Sequence, residues 1–441
     1  MPYDIIIGRD ESDRKRFGDK GLIYLGKGYV KMGQYTSLSN KIFMDISRNH
    51  VVLVSGKRGS GKSYTLGVIA EELAAMPEEV RENIASIIFD TMGIFWTMKY
   101  PNDKEKELLA EQGLKPRKTP SQVFVPFGFF NEYIEKGLPA DSAFALNPSE
   151  LNIEDWLLTF KLDFINPVAV VIERTIGKLK EKKEETGESF DIDDIISEIK
   201  HDADVEENVR NAAIGIFEAA KGWKIFASKG EKATETSEII KPGFTSILDL
   251  SVYSSVSTFN VRALVISLVT RKIFTERMRE RKNEEIQAVE HGLDYLAFKV
   301  KREMPMVWFF IDEVHEFLPD KGKTPATDSL VQLLREGRQP GMSLVMATQQ
   351  PGALRRDAIT QADIIISHRV TAQPDINALN YIMQSYLAGS IKRYMDELPA
   401  LKGSAIILDD NSERIYPMRV RPRFTWHGGE SPTAIKIERR I

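Results

Sequence analysis

The 441-residue sequence contains no cysteine. Disulfides, thiolate zinc sites, iron–sulfur clusters and a cysteine nucleophile are therefore excluded within it. Long apolar runs are also missing, since the longest, near residues 164–172 and 304–311, are about half of what a membrane-spanning helix requires. The N-terminal segment is charged from Asp4 onward and lacks the apolar stretch of a signal peptide. These absences predict a cytoplasmic protein without a membrane anchor.

A large net charge is missing as well. The 60 Lys and Arg residues nearly balance the 64 Asp and Glu residues, which leaves a formal charge of -4. This total gives no evidence for a polyanionic partner, although a balanced total can hide a local basic surface. The segment from Arg414 to Ile441 is such a local excess, with six arginines and one lysine against two glutamates.

Short apolar runs alternate with helix-forming segments along much of the chain. This alternation is typical of an α/β fold with a mainly parallel sheet. A helix is predicted at Ser63–Met76. The predicted strands are Val51–Ser55, Ile84–Phe89, Gln122–Phe127, Thr245–Leu250, Val307–Ile311, Ser343–Ala347, Asp363–Ser367 and Ser404–Leu408.

Changes in composition predict four regions. Residues 1–49 contain scattered glycines and short hairpin-like segments, which predict a small β-rich N-terminal segment. Residues 50–110 and 241–412 carry most of the predicted strands and are interpreted as one interrupted core. Residues 111–240 are richer in helix-forming segments and predict a mostly helical insertion, and residues 413–441 form a basic C-terminal brace or tail.

The motif GKRGSGKS at residues 56–63 matches the phosphate-binding pattern G-x-x-x-x-G-K-[ST] between a strand and a helix. Its glycines allow backbone N–H groups to surround a phosphate, and the helix N-terminus favours the anion. We expect Lys62 to contact the β- and γ-phosphates and the Ser63 hydroxyl to bind Mg²⁺. The predicted nucleotide contacts are Gly56, Lys57, Arg58, Gly59, Ser60, Gly61, Lys62, Ser63 and Tyr64.

Two adjacent carboxylates, Asp312 and Glu313, follow the apolar strand Val307–Ile311. Ligands of open α/β sheets bind at the carboxyl ends of the strands. We therefore expect Asp312 to bind Mg²⁺ and Glu313 to polarise an attacking water molecule. No base-reading motif of the G-protein type follows, and the acid pair indicates hydrolysis rather than transfer to a metabolite.

Polar and basic residues follow the carboxylates. Thr348 and Gln349 directly follow the predicted strand Ser343–Ala347, where this polar pair could contact the γ-phosphate as a sensor. Arg335 and Arg338 stand three apart on a helical pattern and are expected to share a face. One of them is a candidate arginine finger for a neighbouring subunit. The alternative is a salt bridge within the chain to Glu336 or Asp328.

The combination of GKRGSGKS, WFFIDEVHEF, LLREGRQPGMSLVMATQQP and IYPMRVRPRFTWHGG resembles the HerA branch of the HerA/FtsK ATPases, over about His50 to Gly429. The resemblance implies a hexameric ring with a RecA-like P-loop NTPase core, ATP and Mg²⁺ as cofactors, and translocation on or unwinding of double-stranded DNA. It also implies work with a NurA-like nuclease or another effector, in DNA end processing or genome defence. The alternative is an ATP-dependent ring scaffold that regulates a partner enzyme with little translocation of its own.

The resemblance also implies roles for single residues. Lys62 and Ser63 match the nucleotide and Mg²⁺ residues, Asp312 and Glu313 match the Walker B acids, and Gln349 matches the polar sensor. All five coincide with residues that their motifs had already indicated.

The remaining matches concern basic and acidic residues around this set. Arg338 matches the finger that acts on a neighbouring subunit, with Arg335 as the second candidate, and Asp90 matches an acid near the nucleotide. Family members usually begin with a HAS-type β-barrel. Because only about 49 residues precede the first core strand, we expect this barrel to be reduced, absent or replaced.

Two short loops have a composition suited to sequence-independent contacts with DNA phosphates. They are Asp320–Lys323 and Leu354–Asp357, and each follows a segment tied to the nucleotide. The alternative is ordinary solvated surface charge. The candidate contacts are Lys321, Lys323, Arg355 and Arg356.

Overall fold

The computed structural model describes residues 3–32, 35–254, 260–290, 303–383 and 391–430. The C-terminal residues 431–441, which belong to the predicted basic tail, lie outside this range. The strands of the described residues form one thirteen-stranded sheet. Its strands are β1 (Ile5–Ile7), β2 (Leu22–Met32), β3 (Tyr35–Asp45), β4 (Val51–Ser55), β5 (Ile84–Asp90), β6 (Ser121–Pro126), β7 (Ser142–Phe144), β8 (Thr245–Asp249), β9 (Met306–Ile311), β10 (Met342–Thr348), β11 (Ile364–His368), β12 (Ser404–Asp409) and β13 (Arg414–Val420).

The sheet has the order β1-β3-β2-β13-β12-β11-β4-β10-β9-β5-β8-β6-β7. The part from β11 to β7 is parallel throughout. Strands β12, β13, β2 and β3 continue it in antiparallel pairs, and β1 adds to β3 in parallel. The α/β class with a mainly parallel sheet is therefore confirmed, and β13 joins the N-terminal hairpin to the core.

Helices cover both faces of the sheet. The α-helices are α1 (Glu11–Phe17), α2 (Lys62–Ala74), α3 (Glu78–Arg81), α4 (Lys106–Glu111), α5 (Phe130–Glu135), α6 (Ile153–Phe160), α7 (Pro167–Thr186), α8 (Ile192–His201), α9 (Glu207–Lys221), α10 (Thr236–Ile239), α11 (Val261–Glu290), α12 (Thr327–Glu336), α13 (Arg356–Thr360), α14 (Gln373–Met383) and α15 (Ile391–Glu397). Among the helices of the described ranges, none combines the length and apolarity that crossing a membrane would need.

Successive side chains of a strand point to opposite faces of the sheet, so each central strand contributes to the packing on both faces. Leu53 and Phe309 pack in the cluster that includes the helices of the insertion, such as α6 with Trp156. Val54 and Phe310 pack in the other cluster, which includes helix α2. The continuous apolar runs of the sequence therefore correspond to strands enclosed between two helical layers.

Helix α7 shows how the insertion is fixed locally. Pro167 occupies its first turn, and the Asn166 side chain accepts a hydrogen bond from the Val168 backbone N–H at 2.9 Å. Pro at the first position and Asn at the cap are both favourable there. Gly187, with φ 75°, ends the helix in the left-handed region that glycine adopts without strain.

The segment that follows β13 crosses helix α2 through buried charges. Arg421 donates to Glu71 Oε1 at 2.6 Å, and both side chains are fully buried. The Glu71 carboxylate also accepts from the Phe424 backbone N–H at 2.9 Å. The Arg423 guanidinium lies against Gly67, where a Cβ would stand 2.3 Å from Nη1. These arginines of the predicted basic tail are thus bound inside the chain.

We expect Glu71→Ala to lower the free energy of unfolding by about 3–5 kcal/mol, because it removes a fully buried carboxylate that pairs with Arg421 and accepts from the Phe424 backbone N–H, and only Glu72 then remains paired with Arg421. Glu11→Ala, which removes an exposed partner of Lys15, serves as the control and should leave stability nearly unchanged. Urea unfolding of both variants measures the difference. Equal losses in the two variants would show that the buried pair does not fasten this segment.

Candidate nucleotide-binding and hydrolysis site

The predicted motifs follow three neighbouring parallel strands and lie at one edge of the sheet. In the register of β4, β10 and β9, Thr348 lies opposite Ser55 and Met346 lies opposite Ile311. The carboxyl ends of β4 and β10 are therefore level, and β9 ends opposite Met346, near the same edge. The loop after β4, the acids after β9 and the polar residues after β10 meet at this edge, where ligands of open α/β sheets bind.

The loop of residues 56–63 has a backbone that needs glycine. Gly56 has φ 154°, and a Cβ there would lie 2.5 Å from Ser60 Oγ and 2.7 Å from His368 Cβ. Gly61, with φ 116°, precedes helix α2. The loop therefore lies close to the sheet edge and directs the start of α2, with its free N–H groups, toward an anion.

Lys62 is buried, with 5% of its surface exposed, and it forms no salt bridge with a carboxylate of the described residues. Its ammonium donates to the Lys57 carbonyl at 3.4 Å. Burial lowers the pKa of Lys62, while the nearby Glu313 and Asp312 oppose that shift. A buried ammonium without a bonded counter-ion is suited to receive a polyphosphate.

The Ser63 hydroxyl donates to Asp312 Oδ2 at 2.5 Å. Asp312 is 2% exposed, and its other oxygen accepts from the Glu313 backbone N–H at 2.9 Å. Burial raises the pKa of Asp312. A hydroxyl and a carboxylate in contact form a set of oxygen ligands of the kind Mg²⁺ prefers. Ser63 and Asp312 are thus the residues that would hold the metal.

Glu313 and Gln349 are brought into direct contact. Glu313 has φ 51° and ψ 44°, in the left-handed region that few non-glycine residues adopt. Its Oε1 accepts a hydrogen bond from the Gln349 amide. The predicted base and the predicted sensor therefore lie together, and both are held beside Asp312 and the loop.

Sequence reasoning missed His315, which contacts Thr348 of the predicted sensor pair. His315 Nδ1 lies 3.2 Å from Thr348 Oγ1 and 3.6 Å from Glu313 Oε2. The position of His315, two residues after Glu313, was the only signal available in the sequence. Its contact with Thr348 depends on the pairing of β9 with β10.

His368 was also missed, because it ends β11 far from any motif. It lies beneath the loop, with Nε2 2.9 Å from Thr65 Oγ1 and Nδ1 3.1 Å from the Ser404 carbonyl. Because a carbonyl only accepts, Nδ1 carries the proton in this arrangement and Nε2 accepts from Thr65. Burial lowers the pKa of His368 to about 4, so the ring is neutral.

Asp90 and Tyr64 use their polar atoms within the chain. Asp90 accepts from the backbone N–H groups of Ile94 at 3.1 Å and Phe95 at 2.7 Å. Burial and the neighbouring Asp249 raise its pKa to about 7. Tyr64 donates to Glu105 at 2.6 Å and accepts from the backbone of the C-terminal segment. Contact of Asp90 and Tyr64 with a nucleotide stays a prediction.

Arg335 lies on helix α12, whereas Arg338 does not. Helix α12 ends at Glu336, so Arg338 lies in the turn beyond it. Gly337 is the C-cap of the helix, and its backbone N–H donates to the Leu333 carbonyl at 2.9 Å. Arg335 donates to Asp357 at 2.6 Å rather than to Glu336 or Asp328. Arg338 is exposed and forms no ion pair with a described residue.

The two basic loops lie side by side. The Asp320 backbone N–H donates to the Ala353 carbonyl at 2.9 Å, and the Arg355 N–H donates to the Leu318 carbonyl at 2.9 Å. A bridge between Pro319 and Leu354 connects the same segments. Two stretches that were predicted separately therefore form one surface.

The four basic residues of this surface differ in how they are paired. Lys321 is exposed, and Lys323 donates to Asp328 at 2.8 Å. Arg355 donates to Asp357 at 3.2 Å. Arg356 is exposed and stacks on the Tyr381 ring, 4.6 Å from its centre.

Comparison with known proteins identifies relatives of this chain. A family model described as helicase HerA, central domain, matches residues 30–273, which is more than half of the chain. The DNA double-strand break repair helicase HerA of Pyrococcus furiosus is 24% identical over 180 residues, 38% of this chain and 31% of that protein. The probable DNA double-strand break repair helicase HerA of Methanocaldococcus jannaschii is 22% identical over 382 residues, 80% of this chain and 69% of that protein.

A solved structure shares the fold. VirB4 of Thermoanaerobacter pseudethanolicus superposes with a TM-score of 0.55 at 11% identity. The superposition covers 91% of this chain and 96% of that one. At this identity the likeness concerns the fold alone.

We expect Lys62→Ala to reduce the affinity for ATP at least tenfold and to abolish turnover, because it removes the buried ammonium at the loop. Binding of a fluorescent ATP analogue and phosphate release measure the two effects. Lys15→Ala, a change at an exposed site on helix α1, is the control. Turnover of Lys62→Ala at the unsubstituted rate would contradict the assignment of the loop.

Proposed function

Because the chain belongs to the HerA family of P-loop ATPases, we propose that it is a ring-forming motor that hydrolyses ATP to translocate on or unwind double-stranded DNA. The observation that carries this proposal is the meeting of Lys62, Ser63, Asp312 and Glu313 at one strand edge. The neighbouring basic surface adds a place for a polyanion.

Each residue of the site has a chemical task in hydrolysis. Lys62 would neutralise the β- and γ-phosphates, and Glu313 would accept a proton from the attacking water. Ser63 and Asp312 would hold Mg²⁺, which would supply positive charge against the phosphates. Gln349 would exchange its contact with Glu313 for one with the γ-phosphate and so report whether that phosphate is present.

The two adjacent basic loops support DNA as the polymer along which the motor moves. They follow β9 and β10, the strands that carry Glu313 and Gln349. Movement of these strand ends during hydrolysis would reach the loops directly. Lys321 and Arg356 are exposed and have no carboxylate partner among the described residues, and they would bind backbone phosphates without reading sequence.

A ring would complete the site with a residue from the next subunit. Arg338 is exposed and is not paired with any described residue, whereas Arg335 is held by Asp357. We therefore keep Arg338 as the trans-acting finger and Arg335 as the second candidate. A hexamer is the assembly that the family resemblance favours.

The names of the relatives suggest the process. Two HerA proteins described as DNA double-strand break repair helicases match this chain. We propose by analogy that the motor acts in the cytoplasm on DNA ends, with a nuclease or another effector as its partner.

The proposal predicts ATP hydrolysis that duplex DNA stimulates. Replacing Lys321 and Arg356 with Ala should reduce the stimulated rate and lower the salt slope of DNA binding by about 2, as the loss of two phosphate contacts implies. Lys229→Ala with Lys232→Ala, on exposed sites of the insertion, is the control. Hydrolysis indifferent to duplex DNA, with no salt-sensitive binding, would contradict a DNA motor.

We expect Arg338→Ala to bind ATP normally and to lose about 10³-fold in turnover, the low end for a finger. Mixing it with Glu313→Gln subunits tests action between subunits, because mixed interfaces combine an intact Glu313 with an intact Arg338. Recovered activity in the mixture is the expected result. A monomer that hydrolyses ATP at full rate would rule out a finger supplied in trans.

A further inference from the structure

The two oxygens of the Glu313 carboxylate differ in their hydrogen bonding. Oε1 accepts a hydrogen bond from Gln349, but Oε2 is buried and has no hydrogen-bond partner in the part of the chain described here. A buried carboxylate oxygen without a donor is unfavourable. A donor within a small shift of Oε2 would therefore be strongly attracted to it.

His315 is the group placed to supply that donor. Its Nδ1 lies 3.6 Å from Oε2, slightly beyond hydrogen-bond distance, and the His315 side chain is only 19% exposed. The same nitrogen lies 3.2 Å from Thr348 Oγ1, which also accepts from the Gln350 backbone N–H at 3.0 Å. His315 thus stands between the acid after β9 and the end of β10.

Gln349 cannot serve Glu313 and the nucleotide with the same N–H group. If its amide turns to a γ-phosphate, Oε1 is released and can face water. The carboxylate then needs another anchor, because a base that rotates freely is poorly oriented for proton transfer. The oxygen left to be anchored is Oε2, the one next to His315.

We propose that His315 is a positioning residue for hydrolysis, which holds Glu313 through Oε2 while Oε1 accepts the proton from water. Thr348 Oγ1 lies 3.2 Å from His315 Nδ1 and keeps the imidazole beside Glu313 while Nδ1 does not donate to Oε2. The end of β10 therefore lies next to both the sensor and the support of the base. The inference rests on the proposed ATP hydrolysis and assigns a task to a residue next to the reacting groups.

The experiment compares His315→Asn, His315→Gln and His315→Ala in full-length protein. The Asn amide nitrogen takes the place of Nδ1, whereas the Gln amide reaches the place of Nε2. We expect Asn to keep kcat within about threefold, and Gln and Ala to lose roughly 10–100-fold, the cost of a misplaced base. KM for ATP and the affinity for a non-hydrolysable analogue should change less than about twofold in all three.

A second measurement separates positioning from a structural role. In a Glu313→Gln background, His315→Ala should cause no further loss of the residual rate, because residues that act as a unit are not additive. Turnover of His315→Ala at the wild-type rate, or equal losses in Asn and Ala, would overturn the proposal. An additive loss in the double variant would do the same.

The turnover rate of the wild type in the same assay distinguishes failure of the proposed role of His315 from failure of the proposed ATP hydrolysis. Turnover by the wild type with no effect of His315→Ala refutes only the role of His315. No turnover by the wild type refutes the proposed hydrolysis itself, and with it any part played by His315. If His315→Ala fails to fold, as judged by circular dichroism, the comparison of Asn with Gln decides the question.

Discussion

The hydrogen bond between the Ser63 hydroxyl and Asp312 is the contact on which the site depends, since it joins residues 249 positions apart. It exists because β4, β10 and β9 are parallel neighbours whose carboxyl ends lie at the same edge of the sheet. Burial on both faces fixes that register, because a slip of one residue would exchange the side chains of the two helical layers. The long insertion predicted between the motifs leaves this alignment intact, since its helices α6 to α10 pack on one face of the sheet.

Much of the fold and site could be predicted because the signals were local. Buried parallel strands are continuous apolar runs, and the loop of residues 56–63 has a spacing fixed by its phosphate chemistry. The structure places β4 at Val51–Ser55, as predicted, and brings Lys62, Ser63, Asp312 and Glu313 together.

Features that depend on long-range pairing could not be predicted. Arg421 and Arg423 belong to a basic segment typical of solvated tails, yet Glu71 and the gap at Gly67 bury them. The two basic loops meet only because their strands are neighbours. A local feature was missed as well, since α12 ends at Glu336 although the helical pattern of the sequence continues to Arg338. The same strand ends thus carry the acid pair, Gln349 and the basic loops, and the proposed coupling of ATP turnover to movement rests on this arrangement.

The most direct test of a DNA motor is displacement of a third strand from duplex DNA. A labelled oligonucleotide is annealed as a triplex on a linear duplex, and its release is followed with ATP for the wild type and for Glu313→Gln. A motor that moves along the duplex releases the strand only with ATP and an intact Glu313. ATP hydrolysis without release, while the protein remains bound to the duplex, would contradict translocation and favour a ring scaffold.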